Sequence, residues 1–203
     1  KLQIIPKFGL QFLYSRKGRK FLEYFDKEFF LDLKINDIKQ TALSAVDSLK
    51  DLKKCRYITV HANGGLEMLK AVKKKAAETN KNLKVLGVTV LTSLNNKSLK
   101  EIGHTRSVEQ LVLKQAGLIK KVGLHGIVLS AKEAKIVKKK YNNLFTVTPG
   151  IRLPGDRTDD QARVVTPYDA LKINKVNAIV MGRSLIRGNI KNNIKNLIDH
   201  LNK

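Results

Sequence analysis

Short apolar runs alternate along the chain with amphipathic stretches, which is the order of strands followed by helices. The apolar runs are rich in β-branched residues and are six to eight residues long. They cover residues 2–7, 29–34, 56–61, 85–92, 125–130, 144–150 and 177–182. Strands that are apolar on both faces and separated by helices predict a parallel sheet with helices on either side.

The stretches between the strands place apolar residues three or four positions apart, which is the spacing of one buried helix face. After the second strand, this spacing predicts a helix that buries Ile38, Ala42, Val46, Leu49 and Leu52. Two helix starts are also indicated. Ser107 is suited to cap the helix after the fourth strand, and Pro167 suits the first turn of a later helix.

Seven strand–helix units predict a (β/α)8 TIM barrel whose first strand is missing from the chain given. A doubly wound open sheet is the alternative, and it would concentrate polar residues at one switch point. Polar residues here follow nearly every strand, at Lys7, Asp32, Lys34, His61, Thr92, Ser130, Arg152 and Arg183. We therefore favour the barrel, expect residues 1–203 to form a single domain, and expect the absent strand to precede residue 1.

The composition adds a strong positive charge, because 40 Lys and Arg against 17 Asp and Glu give a net charge of +23. Such a charge is typical of proteins that bind nucleic acid. The lysines are spread over several predicted helices with few aromatic residues for stacking bases, which disfavours a dedicated nucleic-acid groove. No apolar stretch approaches the ~20 residues of a membrane helix. The lone cysteine, Cys55, favours a reducing cytoplasm.

The segment FLDLKINDI, residues 30–38, contains three charged residues within an apolar run. Asp32 and Lys34 are two positions apart, so they share one face of a strand. Asp32 and Asp37 would hold a buried Lys34 in its cationic form. An ammonium fixed among carboxylates can donate a proton to a developing carbanion. A salt bridge that only pins the strand to the next helix is an equal alternative.

Two later strands end in glycine and arginine. VTPGIRLPGD, residues 147–156, leaves Arg152 at the strand exit, and VMGRS, residues 180–184, ends in Gly182 and Arg183. Backbone N–H groups beside a guanidinium predict an anion site, and a phosphate site near the last strands is frequent in TIM barrels. A glycine turn with a surface arginine is the plainer interpretation.

Together these segments resemble the orotidine 5'-monophosphate decarboxylase family over about residues 3 to 188. FLDLKINDI is similar to the signature strand of that family. Later strand ends are similar in the family's order, at ITVHANGG, VLGVTVLTS, VTPGIRLPGDRTDDQARVVTP and AIVMGRSLI. The DxKxxD pattern is shared with sister sugar-phosphate enzymes, whereas its combination with LTS, TPGIR, DDQ and GR indicates the decarboxylase.

The resemblance implies a role for each residue of the charged segment. Lys34 would donate a proton to C6 of the pyrimidine after CO2 leaves, and Asp32 would hold Lys34 beside the scissile carboxylate. Asp37 would reach into the site of a partner subunit, which makes the active unit a homodimer. Lys7 would complete an alternating Lys–Asp–Lys–Asp array, and both Lys7 and Asp37 would contact the substrate.

The resemblance also implies the substrate contacts outside that segment. Thr92 would contact the pyrimidine of orotidine 5'-phosphate, and the remaining residues would hold its phosphate: Arg152, Gln161, Gly182 and Arg183. The product would be UMP, formed in de novo pyrimidine biosynthesis. The family uses neither a metal ion nor an organic cofactor. The loop TPGIRLPGDRTDDQ would act as a lid over the substrate.

Some features depart from the family. The segment continues as Asn36-Asp37-Ile38-Lys39-Gln40 where relatives have His-Asp-Ile-Pro-Asn, and we expect tuning rather than loss of activity. No segment matches the family's first strand with its ribose-binding aspartate, so we expect a longer gene product. Two alternatives remain open. One is a Mg-dependent sugar-phosphate lyase, of the 3-keto-gulonate-6-phosphate decarboxylase or hexulose-6-phosphate synthase type. The other is a non-catalytic, basic nucleic-acid-binding barrel.

Overall fold

The computed structural model describes residues 2–156 and 164–202, in which strands and helices alternate. The strands are β1 (Lys7–Gly9), β2 (Phe29–Ile35), β3 (Cys55–His61), β4 (Lys84–Val88), β5 (Gly126–Val128), β6 (Phe145–Thr148) and β7 (Ala178–Ile179). The helices are α1 (Leu10–Leu13), α2 (Gly18–Tyr24), α3 (Lys39–Asp47), α4 (Gly65–Thr79), α5 (Asn96–Glu101), α6 (Val108–Val122), α7 (Ala131–Lys140), α8 (Arg183–Ile186) and α9 (Ile190–Leu201). Within these ranges, no helix has both the length and the apolar character that a membrane span requires.

The described residues form two compact units. The first unit comprises the chain up to Val88 together with Leu118–His125, and it contains β1 to β4. The second comprises Thr89–Gly117 and the chain from Gly126 onward, and it contains β5 to β7. The sequence-based expectation of a single domain stays a prediction.

In the first unit, β1 to β4 pair in chain order, and every pair is parallel. Gly9 on β1 lies opposite Asp32 on β2, and His61 on β3 lies opposite Val88 on β4. Lys7 is the first residue of the short β1 and pairs with Phe30, two positions before Asp32. Parallel strands end at the same edge of a sheet, so the polar residues near the ends of β2 and β3 lie at one edge of this unit. This is the arrangement that the sequence predicts for the first charged residues.

Apolar side chains of the sheet and of α3 and α4 form the core of the first unit. Leu31 and Ile58 in the sheet, Val46 on α3, and Leu69 and Val72 on α4 are each 0% exposed. Helices α3 and α4 also pack against each other. Burial of one such side chain stabilises the fold by about 1.5–3 kcal/mol, so this core holds β2 and β3 rigidly.

The start of α3 corrects one prediction about the core. The sequence places Ile38 on the buried face of this helix, but its side chain is 73% exposed. The reason is that α3 begins at Lys39, and Ile38 precedes it with ψ of 151°, outside the helical range. Leu49 and Leu52 are buried as predicted, although both follow the end of the helix at Asp47.

The first strand also differs from its prediction. The sequence predicts a strand over residues 2–7, whereas β1 covers Lys7–Gly9. Pro6 contributes only its carbonyl to the pairing, and that oxygen accepts the Phe30 N–H at 2.9 Å. Because proline has no N–H to donate, regular pairing begins after it.

In the second unit, β5, β6 and β7 pair in chain order and are parallel. Its core contains apolar side chains from α6, β5 and α7. Fully buried examples are Val112, Ala116, Ile127, Ala134 and Val137, each 0% exposed. The strand–helix order predicted from the sequence is therefore found in both units.

The two predicted helix starts are confirmed. Ser107 and Gln110 cap α6 reciprocally, because each side chain accepts the backbone N–H of the other, at 3.3 and 3.1 Å. Thr166 caps the helical turn that contains Pro167, since its hydroxyl accepts the Asp169 N–H at 3.1 Å. Short-range hydrogen bonds of this kind can be predicted from a few neighbouring residues.

Candidate active site

Strand β2 leaves regular pairing where its charged residues lie. Leu31 pairs with Ile58, and the next paired position is Ile35 with Val60. Three residues of β2, numbered 32–34, therefore lie opposite the single β3 residue Thr59, which makes a β-bulge. Lys34 adopts φ of +50°, in the left-handed region that residues with a Cβ rarely adopt.

Two ammonium groups, one from β1 and one from the bulge, contact the Asp32 carboxylate. Lys7 Nζ lies 2.9 Å from Asp32 Oδ2, and Lys34 Nζ lies 3.0 Å from Asp32 Oδ1. The Asp32 side chain is 14% exposed, and those of Lys7 and Lys34 are 28% and 37% exposed. Lys7, Asp32 and Lys34, which we call the charged array, are therefore in contact with one another through Asp32.

The array fixes the ionisation state of Asp32. Burial raises the pKa of this carboxyl, but the charges of Lys7 and Lys34 and the hydrogen bonds from both ammoniums outweigh burial. The net effect holds the pKa of Asp32 below its ordinary value of 3.8. Asp32 is therefore an anion at neutral pH, with a cation on each oxygen.

Thr59 is a third contact of Asp32, and the sequence analysis did not select it. Its hydroxyl donates to Asp32 Oδ1 at 2.9 Å and accepts the Lys34 backbone N–H at 2.8 Å. The residue is 0% exposed. A signal was present in the sequence, because Thr59 and His61 are two apart on β3 and share one face of the strand.

The ring of His61, at the end of β3, forms a hydrogen bond with the backbone. Its Nδ1 accepts the Asn63 N–H at 3.3 Å. Burial, followed by the nearby charge of Lys34, lowers the pKa of His61 below its ordinary value of 6.5. The ring is therefore neutral at neutral pH, and Lys34 and His61 do not add two positive charges to one place.

Asp37 lies apart from the array in the described part of this chain. It follows β2, its side chain is exposed, and its Oδ1 accepts the Ile38 N–H at 2.7 Å. The sequence predicts Asp32 and Asp37 as joint counter-charges for Lys34. Among the described residues, Lys34 forms its ion pair with Asp32 and not with Asp37. The reason is local: Asp37 lies beyond the end of the strand, in the turn before α3.

The candidate substrate residues of the second unit lie after its strands and after β4. Thr92 is half-buried in a turn. Arg152 is 8% exposed, and its Nη1 donates to the Ile151 carbonyl at 3.0 Å. Gly182 precedes α8, whose first residue is Arg183. Gln161 lies outside the described residues.

Gly182 leaves open space where a side chain would be. Its two chain neighbours aside, a Cβ built on it meets no atom of the described residues within 4 Å, and its φ is −106°. Close packing against the described residues therefore does not explain the glycine at this position. The second unit thus presents an exposed backbone segment at Gly182 followed by the Arg183 guanidinium, a combination of donors that suits an anion.

Comparison with known proteins gives a consistent result. The model of the family described as "Orotidine 5'-phosphate decarboxylase / HUMPS family" matches residues 3–193. The orotidine 5'-phosphate decarboxylase of Wolbachia sp. subsp. Brugia malayi is 38% identical over 195 residues, which are 95% of this chain and 84% of the relative. That of Carboxydothermus hydrogenoformans is 40% identical over 188 residues, covering 89% of this chain and 77% of the relative.

Solved structures agree with the sequence relatives. The crystal structure of orotidine 5'-phosphate decarboxylase from Lactobacillus acidophilus matches with a TM-score of 0.80 and 29% identity, covering 97% of this chain and 86% of that one. The Methanocaldococcus jannaschii enzyme in complex with the inhibitor BMP has a TM-score of 0.71 at 24% identity, which supports the fold alone. The predicted TIM-barrel fold class is confirmed. The chain belongs to the orotidine 5'-phosphate decarboxylase / HUMPS family.

Proposed function

We propose that this chain converts orotidine 5'-phosphate to UMP and CO2, the decarboxylation step of pyrimidine biosynthesis, with Lys34 as the proton donor. The observation that carries the proposal is the charged array, in which Asp32 has Lys7 on one oxygen and Lys34 on the other. The family relation supplies the substrate, because the curated relatives described above have the name of this decarboxylase.

The array suits a reaction that creates a carbanion. When CO2 leaves, the bond between C6 and the carboxylate carbon breaks, and its electron pair stays on C6. The Lys34 ammonium then gives one proton to C6 and becomes a neutral amine, which recovers its proton from solvent. A general acid in a fixed position accelerates such a step by about 100- to 10,000-fold.

Asp32 has two roles in this proposal. It fixes the Lys34 ammonium at 3.0 Å, so that the donor need not reorganise when charge develops on C6. Its negative charge also lies beside the substrate carboxylate, and this repulsion disappears when CO2 leaves. The low pKa of Asp32 supports both roles, because the group remains ionised while the substrate binds.

Contacts with the rest of the substrate follow from the family relation. We assign Thr92 to the pyrimidine and Arg152, Gly182 and Arg183 to the phosphate, and the role of Gln161 stays a prediction. Lys7 contacts the substrate from the array. The open space at Gly182 supports its assignment, since a phosphate oxygen can approach a backbone that has no Cβ. Binding energy from the phosphate can then stabilise the transition state at the remote C6.

We further propose that the active unit is a homodimer to which each chain contributes Asp37 across the interface. Asp37 is exposed, and the neighbouring Ile38 leaves 73% of its side chain uncovered. A large apolar side chain beside a carboxylate that has no partner in the array is suited to a subunit contact.

The lone cysteine of the sequence, Cys55, fits a cytoplasmic location.

The experiment follows the absorbance of orotidine 5'-phosphate with purified protein, with and without EDTA. The proposal predicts turnover that the chelator does not change. Turnover of a sugar phosphate that requires Mg²⁺, without turnover of orotidine 5'-phosphate, would instead support the sister lyases. Absence of both activities, with nucleic-acid binding that weakens steeply with salt, would support the non-catalytic alternative.

A further inference from the structure

The β2 bulge leaves a backbone N–H group that needs a hydrogen-bond acceptor. Residues 32–34 lie opposite Thr59 alone, so the Lys34 N–H has no regular strand partner on β3. Lys34 also has φ of +50°, which is unfavourable for a residue with a Cβ. A backbone held in this way needs a specific contact, and its exact geometry determines where the Lys34 side chain begins.

Thr59 provides that contact with one atom. Its Oγ1 accepts the Lys34 N–H at 2.8 Å, and the same hydroxyl donates its hydrogen to Asp32 Oδ1 at 2.9 Å. The residue is 0% exposed and lies in the middle of β3, where it pairs with Leu86 of β4. The hydroxyl is therefore fixed by a rigid strand, and it joins the backbone of one array residue to the side chain of another.

We propose that Thr59 is a positioning residue for proton donation, an inference that rests on the proposed function. Its hydroxyl holds the bulge in the conformation that aims Lys34 and keeps Asp32 Oδ1 oriented toward the Lys34 ammonium. Thr59 acts through these two residues and does not touch the substrate. Loss of the hydroxyl frees the Lys34 N–H, removes one hydrogen bond from the Asp32 carboxylate, and widens the range of Lys34 positions.

The test compares Thr59→Val, which keeps the shape and removes the hydroxyl, with Thr59→Ser, which keeps the hydroxyl. For turnover of orotidine 5'-phosphate we expect Thr59→Val to lower kcat by about 10- to 100-fold, with KM within about threefold of the wild type. We expect Thr59→Ser to restore kcat to within about threefold of the wild type. A general loss of folded protein would not separate kcat from KM in this way, and serine would not rescue it.

Thr146→Val is a matched control. Thr146 is also a 0% exposed strand threonine, and its hydroxyl also donates to a side-chain oxygen and accepts a backbone N–H, both of Asn177. It lies at the beginning of β6, so its loss should lower stability without changing kcat. If Thr146→Val lowers kcat as much as Thr59→Val, the effect belongs to buried hydroxyls in general and the inference is overturned.

The remaining outcomes each decide the question. Wild-type kcat in Thr59→Val, or an equal loss of kcat in Thr59→Ser, overturns the role of the hydroxyl. If Thr59→Val does not fold, Thr59→Ala makes the same comparison, and failure of both to fold shows that the hydroxyl serves the fold itself. If the wild-type protein does not turn over orotidine 5'-phosphate, the proposed function is refuted. If the wild type is active and Thr59→Val is equally active, only the role of Thr59 is refuted.

Discussion

At the scale of single residues, Asp32 organises the charged array. Its two oxygens together accept hydrogen bonds from Lys7, Lys34 and Thr59, which lie on three different strands. The two lysines favour the ionised carboxylate and outweigh the effect of burial on its pKa, and the Thr59 hydroxyl donates a further hydrogen bond to it. The carboxylate in turn fixes both ammonium groups, so a change at any one of the four residues alters the position of the others.

A second residue-scale feature, Gly182, gives a prediction about substrate binding. Gly182→Ala should change the melting temperature little, because the new methyl group meets no atom of the described residues within 4 Å beyond its chain neighbours. If a phosphate oxygen approaches this backbone, the methyl group should raise KM for orotidine 5'-phosphate by about 10-fold or more. Steady-state kinetics and thermal melts measure both quantities.

The control for Gly182→Ala is a substrate without the phosphate. Turnover of free orotidine should be equal in the variant and the wild type, because only the phosphate contact is changed. An unchanged KM for orotidine 5'-phosphate would contradict the assignment of Gly182 to the phosphate.

The sequence predicts part of the array for a simple reason. Asp32 and Lys34 are two apart, and strand periodicity alone brings them to one face. It cannot predict the bulge or the contact with Thr59, because both depend on how β2 pairs with a strand about 25 residues away. The same limit applies to Asp37, whose exposure depends on where β2 ends and α3 begins.

At the scale of elements, the contact between His125 and β4 contributes to the stability of the first unit. His125, just before β5, is joined to β4 by two hydrogen bonds. The backbone N–H of His125 donates to the Val85 carbonyl at 3.0 Å, and the ring Nδ1 of His125 accepts the Val85 N–H at 3.1 Å. The second bond requires an unprotonated Nδ1. The sequence gives no sign of this link, because its partners are 40 positions apart.

The His125 link predicts a pH dependence of stability. Partial burial, then the charges of Lys84, Lys73 and Arg56, lowers the pKa of His125 below 6.5. The unfolded chain therefore binds a proton at His125 before the folded chain does, so stability is lost as pH falls below about 6.5. We expect the urea midpoint to fall between pH 7.5 and 5, and to fall less in His125→Asn.

The pKa of His61 is also lowered, but His61 is present in both the wild type and His125→Asn. The difference between the two proteins therefore reports on His125. A His125→Asn variant with the same pH dependence as the wild type would show that the link to Val85 does not control stability. The effect should be modest, because much of the His125 side chain is exposed.

At the scale of the whole molecule, strand–helix alternation was sufficient to predict the fold class, and the solved decarboxylase structures confirm it. The alternation is visible because buried parallel strands are apolar on both faces. The exact first residue of a helix leaves no such pattern in one sequence. Ile38 illustrates this limit, since its helical spacing predicts a core residue and the structure exposes it.

The proposed homodimer gives a prediction at this scale. Lys34→Ala and Asp37→Ala should each be nearly inactive as homodimers, but a refolded equimolar mixture should recover activity. Half of the dimers would be hybrids with one intact site of two, so about one quarter of wild-type activity should return. Steady-state assays of the mixture against each parent measure this recovery. A mixture no more active than its parents would show that Asp37 does not act across an interface.

The most direct test of the central claim is kcat for orotidine 5'-phosphate in Lys34→Ala, with Lys70→Ala as the control. Lys70 is an exposed lysine that pairs with Glu67 on α4. We predict that Lys34→Ala lowers kcat by at least about 100-fold, because the proton donor is lost, while Lys70→Ala keeps wild-type kcat. Both variants should remain folded by circular dichroism. Near-wild-type turnover in a folded Lys34→Ala protein would contradict Lys34 as the proton donor.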